Sequence, residues 1–328
     1  MKPEDLGTHY ESILDKKIRK KGGVYYTPPL IVDYMVENSL GELLKDKTPE
    51  EASEIKIVDP ACGGGVFLLG AYQFLLDWHE KHFGNLTLEK RRKILTDNIF
   101  GVDIDPLAVK ITKYCLSMLC LSNEGSEGKD FSLDLGENIR CGNSLVDTEF
   151  DWQQEFSHVF QQGGFDIVIG NPPYGAKYSV NNKKYFQKNY ETAQTIKNRQ
   201  KGSLDTFTLF IEKGHQLCQN PGVLHYIVPI SITSSDSVTG VHNLLEKSCS
   251  LIKVSSYAVR PQPVFESAVV NTSILFFKKD GKQNEQILAT KMYRKNKNFN
   301  LQQLLNNLQY IDVKDVKLVG TKLLQSCV

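Results

Sequence analysis

Apolar and polar positions fall along the chain in blocks that read strand, helix, strand, helix. Residues 55–59 are a short apolar run closing on an acid, and residues 65–78 behind them are apolar on nearly every face, which predicts a strand followed by a helix buried against a sheet. A second strand is expected over 99–103. Asp105-Pro106 then has the form of a helix N-cap with proline at the first helical position, and Leu107, Ile111, Tyr114, Cys115 and Met118 recur behind it at helical spacing. Further strands are expected over 165–170 and 223–228, with a helix over 204–217 between them and a late strand pair at 251–256 and 273–277. Repeated β-α-β at this pitch predicts an α/β fold: an open, doubly wound, mostly parallel sheet. Such sheets bind ligands at the carboxyl ends of their strands.

Composition removes other classes. The 328 residues are 41% apolar and 23% charged, with 24 Gly, 12 Pro and 10% aromatics, which excludes collagen-like, coiled-coil and disordered chains. The densest apolar stretch, 66–76, is too short to span a bilayer and contains Gln73, and the N-terminus has no apolar signal region, so a cytoplasmic protein is expected. Seven scattered cysteines without a Cys-x-x-Cys pair argue against a disulfide scaffold or zinc ribbon. His79 and His82 lack the second histidine of a zincin helix, where Phe83 stands, and are read as a solvated helix end.

A net charge of +1 hides local asymmetry. Between 175 and 204 stand Lys177, Lys183, Lys184, Lys188, Lys197, Arg199 and Lys201 against the single acid Glu191, interleaved with Tyr178, Tyr185, Phe186 and Tyr190. A second run, Lys278 to Lys297, has seven bases against Asp280 and Glu285.

Three motifs sit at expected strand ends. The first is Asp59-Pro60-Ala61-Cys62-Gly63-Gly64-Gly65, whose glycines let the backbone approach a ligand and whose helix start offers free N–H groups. It is no dinucleotide fingerprint, because Leu68 stands where glycine is needed, and it lacks the Gly-Lys-Ser/Thr of a P-loop. A strand-end acid followed by small residues suits a ligand carrying an ammonium group, and S-adenosylmethionine (AdoMet) is the candidate. The second is Gly101-Val102-Asp103-Ile104-Asp105: Asp103 can accept the hydroxyls of a ribose, while Asp105 caps the next helix.

The third motif is Gly170-Asn171-Pro172-Pro173-Tyr174. An exocyclic amine on a planar base is a poor nucleophile, because its lone pair is delocalised into the ring. Two acceptors aimed at its N–H bonds, the Asn171 side-chain oxygen and the Pro172 carbonyl, draw the nitrogen toward tetrahedral geometry. Fixed dipoles there stabilise the positive charge that grows as it attacks a methyl sulfonium. Tyr174 supplies a flat face for the base, a stacking interaction worth about 1–3 kcal/mol.

With these residues in view, the chain resembles the gamma class of adenine-N6 DNA methyltransferases, which includes the modification part of type IIG (Eco57I-like) restriction–modification enzymes. The family's N-terminal AdoMet motif matches Gly23-Val24-Tyr25-Tyr26-Thr27-Pro28, with Thr27 as a helix N-cap. Its glycine motif matches Asp59 to Phe67, its ribose acid falls on Asp103, and its adenine-holding segment on Arg140 to Leu145, where Asn143 replaces the frequent Asp. The resemblance implies that Tyr26, Thr27, Asp59, Ala61, Cys62, Gly63, Gly65, Asp103, Ile104, Asn143 and Ser144 bind AdoMet. It further implies that Asn171, Pro172 and Tyr174 are catalytic, that Tyr174 and Phe265 stack on a flipped-out adenine, and that no metal is needed. The basic segment, with Lys177, Lys183, Lys184, Lys188, Lys197, Arg199 and Lys201, is expected to grip double-stranded DNA beside that base.

The implied fold is a seven-stranded, Rossmann-like methyltransferase sheet with an antiparallel late strand. We expect an N-terminal helical segment over 1–53, the catalytic domain over 54–280, and a linker or the start of a target-recognition domain over 281–328. With so few residues after 280 and only 22 before Gly23, neither a separate recognition domain nor an N-terminal nuclease is expected in this sequence, which is read as a catalytic fragment or as a chain that meets its recognition module elsewhere. Two other readings stay open at this level. Glutamine-N5 and ribosomal RNA methyltransferases also use Asn-Pro-Pro-aromatic for a planar amine, and a catalytically silent DNA-binding subunit could keep the fold.

Overall fold

The computed structural model describes residues 27–122, 137–264, 270–296 and 299–313. The described residues divide into two units, one within Ile31–Gly170 and the other made of residues 27–30 with those from Asn171 onward. The division falls inside 54–280, the stretch expected as one catalytic domain.

Helix α1 (Pro29–Val36) opens the described chain. In the first unit four strands, β1 (Ile57–Asp59), β2 (Ile99–Asp103), β3 (Ile139–Cys141) and β4 (Phe165–Gly170), lie in the order β3-β2-β1-β4, every pair parallel. Their crossovers carry α2 (Val66–Phe83), α3 (Leu88–Asn98) and α4 (Pro106–Leu121). α2 is buried through Phe67, Leu68, Leu69, Tyr72, Leu75 and Leu76, as its apolar composition requires. Gly70 lets α1 close on it, since a Cβ there would stand 2.5 Å from Val32 Cγ1. α2 stops at Gly84, whose φ of 74° returns its N–H to the Glu80 carbonyl at 2.8 Å. His79 is a correction: 5% exposed and ringed by Trp78 and Phe83, it is a core residue whose imidazole burial pushes down, while His82 alone is solvated.

α4 begins as expected, with Asp105 Oδ1 accepting the Leu107 N–H at 2.9 Å and Pro106 in the first turn. Its buried face is Ala108, Val109, Thr112, Cys115, Leu116, Leu119 and Cys120. Leu107 and Tyr114, which shaped the expected periodicity, face solvent at 54% and 43% exposure. The buried stripe thus runs through Ala108, Cys115, Leu116 and Leu119, one step round the helix from Leu107 and Tyr114.

The second unit holds β5 (Cys218–Pro229), β6 (Cys249–Tyr257), β7 (Thr272–Lys279), β8 (Gln286–Tyr293) and β9 (Ile311–Asp312), in the order β5-β7-β6-β8-β9. β7 runs antiparallel to both β5 and β6, β8 is parallel to β6, and β9 is antiparallel to β8. Helices α5 (Val180–Asn189), α6 (Thr206–Leu217), α7 (Thr239–Ser248) and α8 (Leu301–Asn306) complete it. The described residues thus carry nine strands rather than seven. The extra pair lies past 280, where β8 joins the sheet because its alternation buries Ile287 and Ala289. Among the described residues no helix is long and apolar enough to cross a membrane.

Candidate active site

In the first unit the glycine loop is built between the ends of β1 and β2. Asp59 closes β1, and its Oδ1 accepts the Ala61 N–H at 2.9 Å. The chain then turns through Gly63 (φ 52°) and Gly65 (φ 84°), conformations that tax any residue with a Cβ. At Gly65 a Cβ would also stand 2.8 Å from Thr112 Cγ2, so the loop rests directly on α4. Thr112 Oγ1 donates to the Gly63 carbonyl at 2.8 Å, and the Gly63 N–H donates to Asp103 Oδ2 at 2.8 Å. The other Asp103 oxygen accepts the Asp105 N–H at 2.8 Å. Asp103 therefore ties the glycine loop to β2, and a ribose hydroxyl would use the second lone pairs of oxygens already fixed by the backbone.

Asp59 is 2% exposed, and burial pushes its carboxyl up to about 8, with the nearby Asp103 charge adding to the rise and the Ala61 N–H opposing it. A Cβ on Gly170 would lie 2.6 Å from Asp59 Oδ1, so the end of β4 is bare where this carboxyl sits. A buried carboxyl next to a second carboxyl fits a cationic group such as the ammonium of AdoMet, whereas the N–H groups that the sequence offered as free are largely taken: those of Ala61, Cys62, Gly63 and Gly65 donate to Asp59, Val102, Asp103 and Cys62.

The other expected AdoMet residues divide. Ile104 is 68% exposed at the tip of β2. Cys62 gives its N–H to the Val102 carbonyl and packs its sulfur beneath Gly101, and burial pushes its thiol up. It shapes the loop from below. Ser144 is buried, with its hydroxyl donating to the Pro60 carbonyl at 2.6 Å, and so holds the loop after β3 to the glycine loop. Asn143 donates to Glu149 at 2.8 Å and accepts from the Leu145 N–H at 3.3 Å. Tyr26 and Phe265 lie outside the described residues.

In the second unit Asn171 follows β4 directly. Its Nδ2 donates to Thr27 Oγ1 at 3.1 Å across 144 residues of sequence. Thr27 is buried, and because α1 starts at Pro29, its side chain serves Asn171 rather than capping the helix. With the amide nitrogen tied, the planar group fixes where its oxygen points. Tyr174 is buried, and the next residue, Gly175 (φ 72°), turns the chain away.

That turn is held by a residue with no motif of its own in the sequence. Asp205 stands at the N-cap of α6, yet its side chain caps nothing there. Its Oδ1 instead accepts the Gly175 N–H at 3.1 Å, and Thr206 Oγ1 accepts the Ala176 N–H at 3.3 Å. The basic segment between 176 and 205 is thus closed at its neck. Inside it, Gln200 donates to the Glu191 and Gln194 carbonyls, and the buried Glu212 accepts the Glu191 and Thr192 N–H groups, both at 2.8 Å. Asn198 (φ 61°) forms the tip of a tight turn bridged by Ile196 and Gln200. Lys177, Lys183, Lys184, Lys188, Lys197, Arg199 and Lys201 are all exposed. The aromatics sort the other way: Phe186 and Tyr190 are buried, with Tyr178, Tyr185 and Tyr190 ringed edge-on around Phe186 at 4.8–5.8 Å. They form the insert's own small core.

A parallel α/β unit with a strand-end glycine loop, continuing into Asn-Pro-Pro-Tyr, belongs to a fold that recurs in solved DNA complexes. The DNA complex of DrdV superposes with a TM-score of 0.69 at 16% identity, over 99% of this chain and 33% of that one. The type IIL enzyme MmeI bound to DNA gives 0.62 at 19% identity, over 96% of this chain and 43% of that one. Residues 97–265 match the family described as the Eco57I restriction-modification methylase, and the chain belongs to that family. It is 29% identical to the type II restriction enzyme and methyltransferase RM.Eco57I of Escherichia coli over 88% of its own length, spanning 33% of that relative. It is 25% identical to the adenine-specific methyltransferase PglX of Streptomyces coelicolor over 52% of its length, spanning 16% of that protein.

Proposed function

We propose that the protein transfers a methyl group from AdoMet to N6 of an adenine swung out of duplex DNA, as the modification activity of a cytoplasmic restriction–modification system. The observation that carries this reading is the Asn171–Thr27 hydrogen bond at the head of Asn-Pro-Pro-Tyr. A carboxamide whose nitrogen is spoken for presents its oxygen as a fixed acceptor. Paired with the Pro172 carbonyl, it takes both N–H bonds of an exocyclic amine and localises the lone pair on nitrogen. Both acceptors are neutral dipoles, so they stabilise the developing positive charge without taking a proton in the transition state. The proton is shed to solvent afterwards. Tyr174 offers the ring against which the base is held.

AdoMet supplies the electrophilic methyl. On this reading Asp59 holds the ammonium of its amino-acid end, and Asp103 its ribose. Adenine as the acceptor, rather than glutamine or RNA, is favoured by relatives named as adenine-specific methyltransferases. The exposed cations from Lys177 to Lys201 favour a polyanionic substrate.

The test is Asn171→Ala in the complete protein. We expect methyl transfer to adenine-containing duplex to fall by at least about 10²–10³-fold, the cost of losing one fixed dipole at a transition state. AdoMet affinity should stay within twofold of wild type. A variant that still methylates, or a wild-type protein that labels only protein or RNA, would overturn the reading.

A further inference from the structure

The second unit has an edge on which none of Asn171, Pro172 and Tyr174 stands. Because β5 and β6 both run antiparallel to β7, and β8 runs parallel to β6, the carboxyl ends of β5, β6 and β8 share one rim. Two cavities of about 580 and 490 Å³ lie along it and share Arg294. One sits between the end of β8 and α8, the other among the residues that follow β5 and β6 and precede β7.

Their lining is chemically one-sided. Arg260, Lys291 and Arg294 contribute exposed cations, and among the described residues no Asp or Glu lines either cavity. Amides (Asn271 among them) and the rings of Tyr293 and Phe299 make up much of the remainder. The cations are placed rather than loose: Arg294 Nη1 donates to the Arg260 carbonyl at 3.3 Å, and Lys291 Nζ lies 5.9 Å from the Tyr293 ring centre. The bond to Arg260 engages one of the guanidinium's five N–H groups.

We propose that this rim is a second DNA-binding site, holding the sugar-phosphate backbone of the duplex outside the pocket for the target base. The assignment rests on the DNA-methyltransferase reading above and adds a location to it. Successive cations with amides and ring faces between them, and no carboxylate to repel a polyanion, are what a backbone carrying a charge every ~1.7 Å of duplex axis requires. The second basic run of the sequence, otherwise without a role, supplies Lys291 and Arg294.

The experiment compares the complete wild-type protein with Arg260→Gln/Lys291→Gln and the charge-keeping Arg260→Lys, measuring affinity for duplex DNA against salt concentration and, separately, affinity for AdoMet. Each phosphate that a variant no longer neutralises makes the slope of log affinity against log salt shallower by about 0.9. The double variant should therefore be shallower by about two and bind several-fold more weakly at ~0.1 M salt, while Arg260→Lys keeps the wild-type slope and AdoMet affinity is the same in all three. A double variant with the wild-type slope overturns the rim assignment and leaves the methyltransferase reading standing. A wild-type protein that binds no duplex overturns both.

Discussion

Gly170 and the Asp59 carboxyl compete for the same few ångströms. At 2.6 Å from Asp59 Oδ1, a methyl on residue 170 must displace either the carboxyl or the end of β4. Gly170→Ala should therefore cost about 1–3 kcal/mol of stability, typical of overpacking, and weaken AdoMet binding at least tenfold. Calorimetric titration and thermal melting of the same preparation would separate the two losses. Asp205 acts at one remove from the chemistry, because its oxygen touches the peptide after Tyr174 and no reacting atom. Asp205→Ala should lower kcat about tenfold, the effect of removing one charge-assisted hydrogen bond, with the KM for AdoMet unchanged. Asp205→Asn, which keeps an acceptor oxygen, should recover most of it. Equal losses in both variants would assign Asp205 to its charge instead.

Among the elements, the insert after the catalytic motif depends on the buried Glu212, whose carboxylate accepts the Glu191 and Thr192 N–H groups. Glu212→Ala strands both donors. Amide exchange across 191–200 should quicken, and duplex affinity should fall several-fold while AdoMet affinity holds; slow exchange in the variant would show that Gln200 suffices. The insert also shows how far the sequence could be read. Its charge was plain, and all seven bases are exposed. Its aromatics are interleaved with those charges in sequence, but Tyr178, Tyr185 and Tyr190 pack on Phe186, while Val180 and Ile196 stay exposed. α4 misled in a related way. Leu107 and Tyr114 share the helical spacing with Cys115, yet only Cys115 lies on the inward face with Ala108, Leu116 and Leu119, because spacing alone does not fix which of two adjacent stripes meets the sheet. Strands β2 and β4 were legible to the residue, since mostly apolar runs ending in Asp103 and Gly170 mark where each stops.

For the molecule as a whole, what stayed illegible was pairing over distance. Nothing local to Thr27 or Asn171 announces that they meet, and β8 and β9 look like linker until β6 offers β8 an edge and β8 in turn offers one to β9. The titration of Asp59 is likewise a property of the folded chain. Its carboxyl, ordinarily near 3.8, is pushed up to about 8, so the unfolded chain gives up this proton at lower pH than the folded one. With the folded state binding the extra proton, Asp59's contribution to stability in the absence of ligand is fully present below 3.8 and is lost as pH rises through about 8. Melting curves from pH 5 to pH 8 should show that loss in the wild type and a flatter course in Asp59→Asn. Over the same window AdoMet affinity should climb in the wild type, because the ligand's ammonium needs the ionised carboxyl, and should be weak throughout in the variant.

The bonds from Gly175 and Ala176 to Asp205 and Thr206 have a consequence for exchange between proteins. A segment pinned at both its entry and its exit behaves as a cassette. What lies between the pins can be lengthened, shortened or swapped at an entropic cost that grows only with the logarithm of its length, and neither the tyrosine before it nor the helix after it has to shift. Grafting a cassette from another enzyme onto this chain would then alter how the polymer is gripped and leave the methyl-transfer chemistry in place.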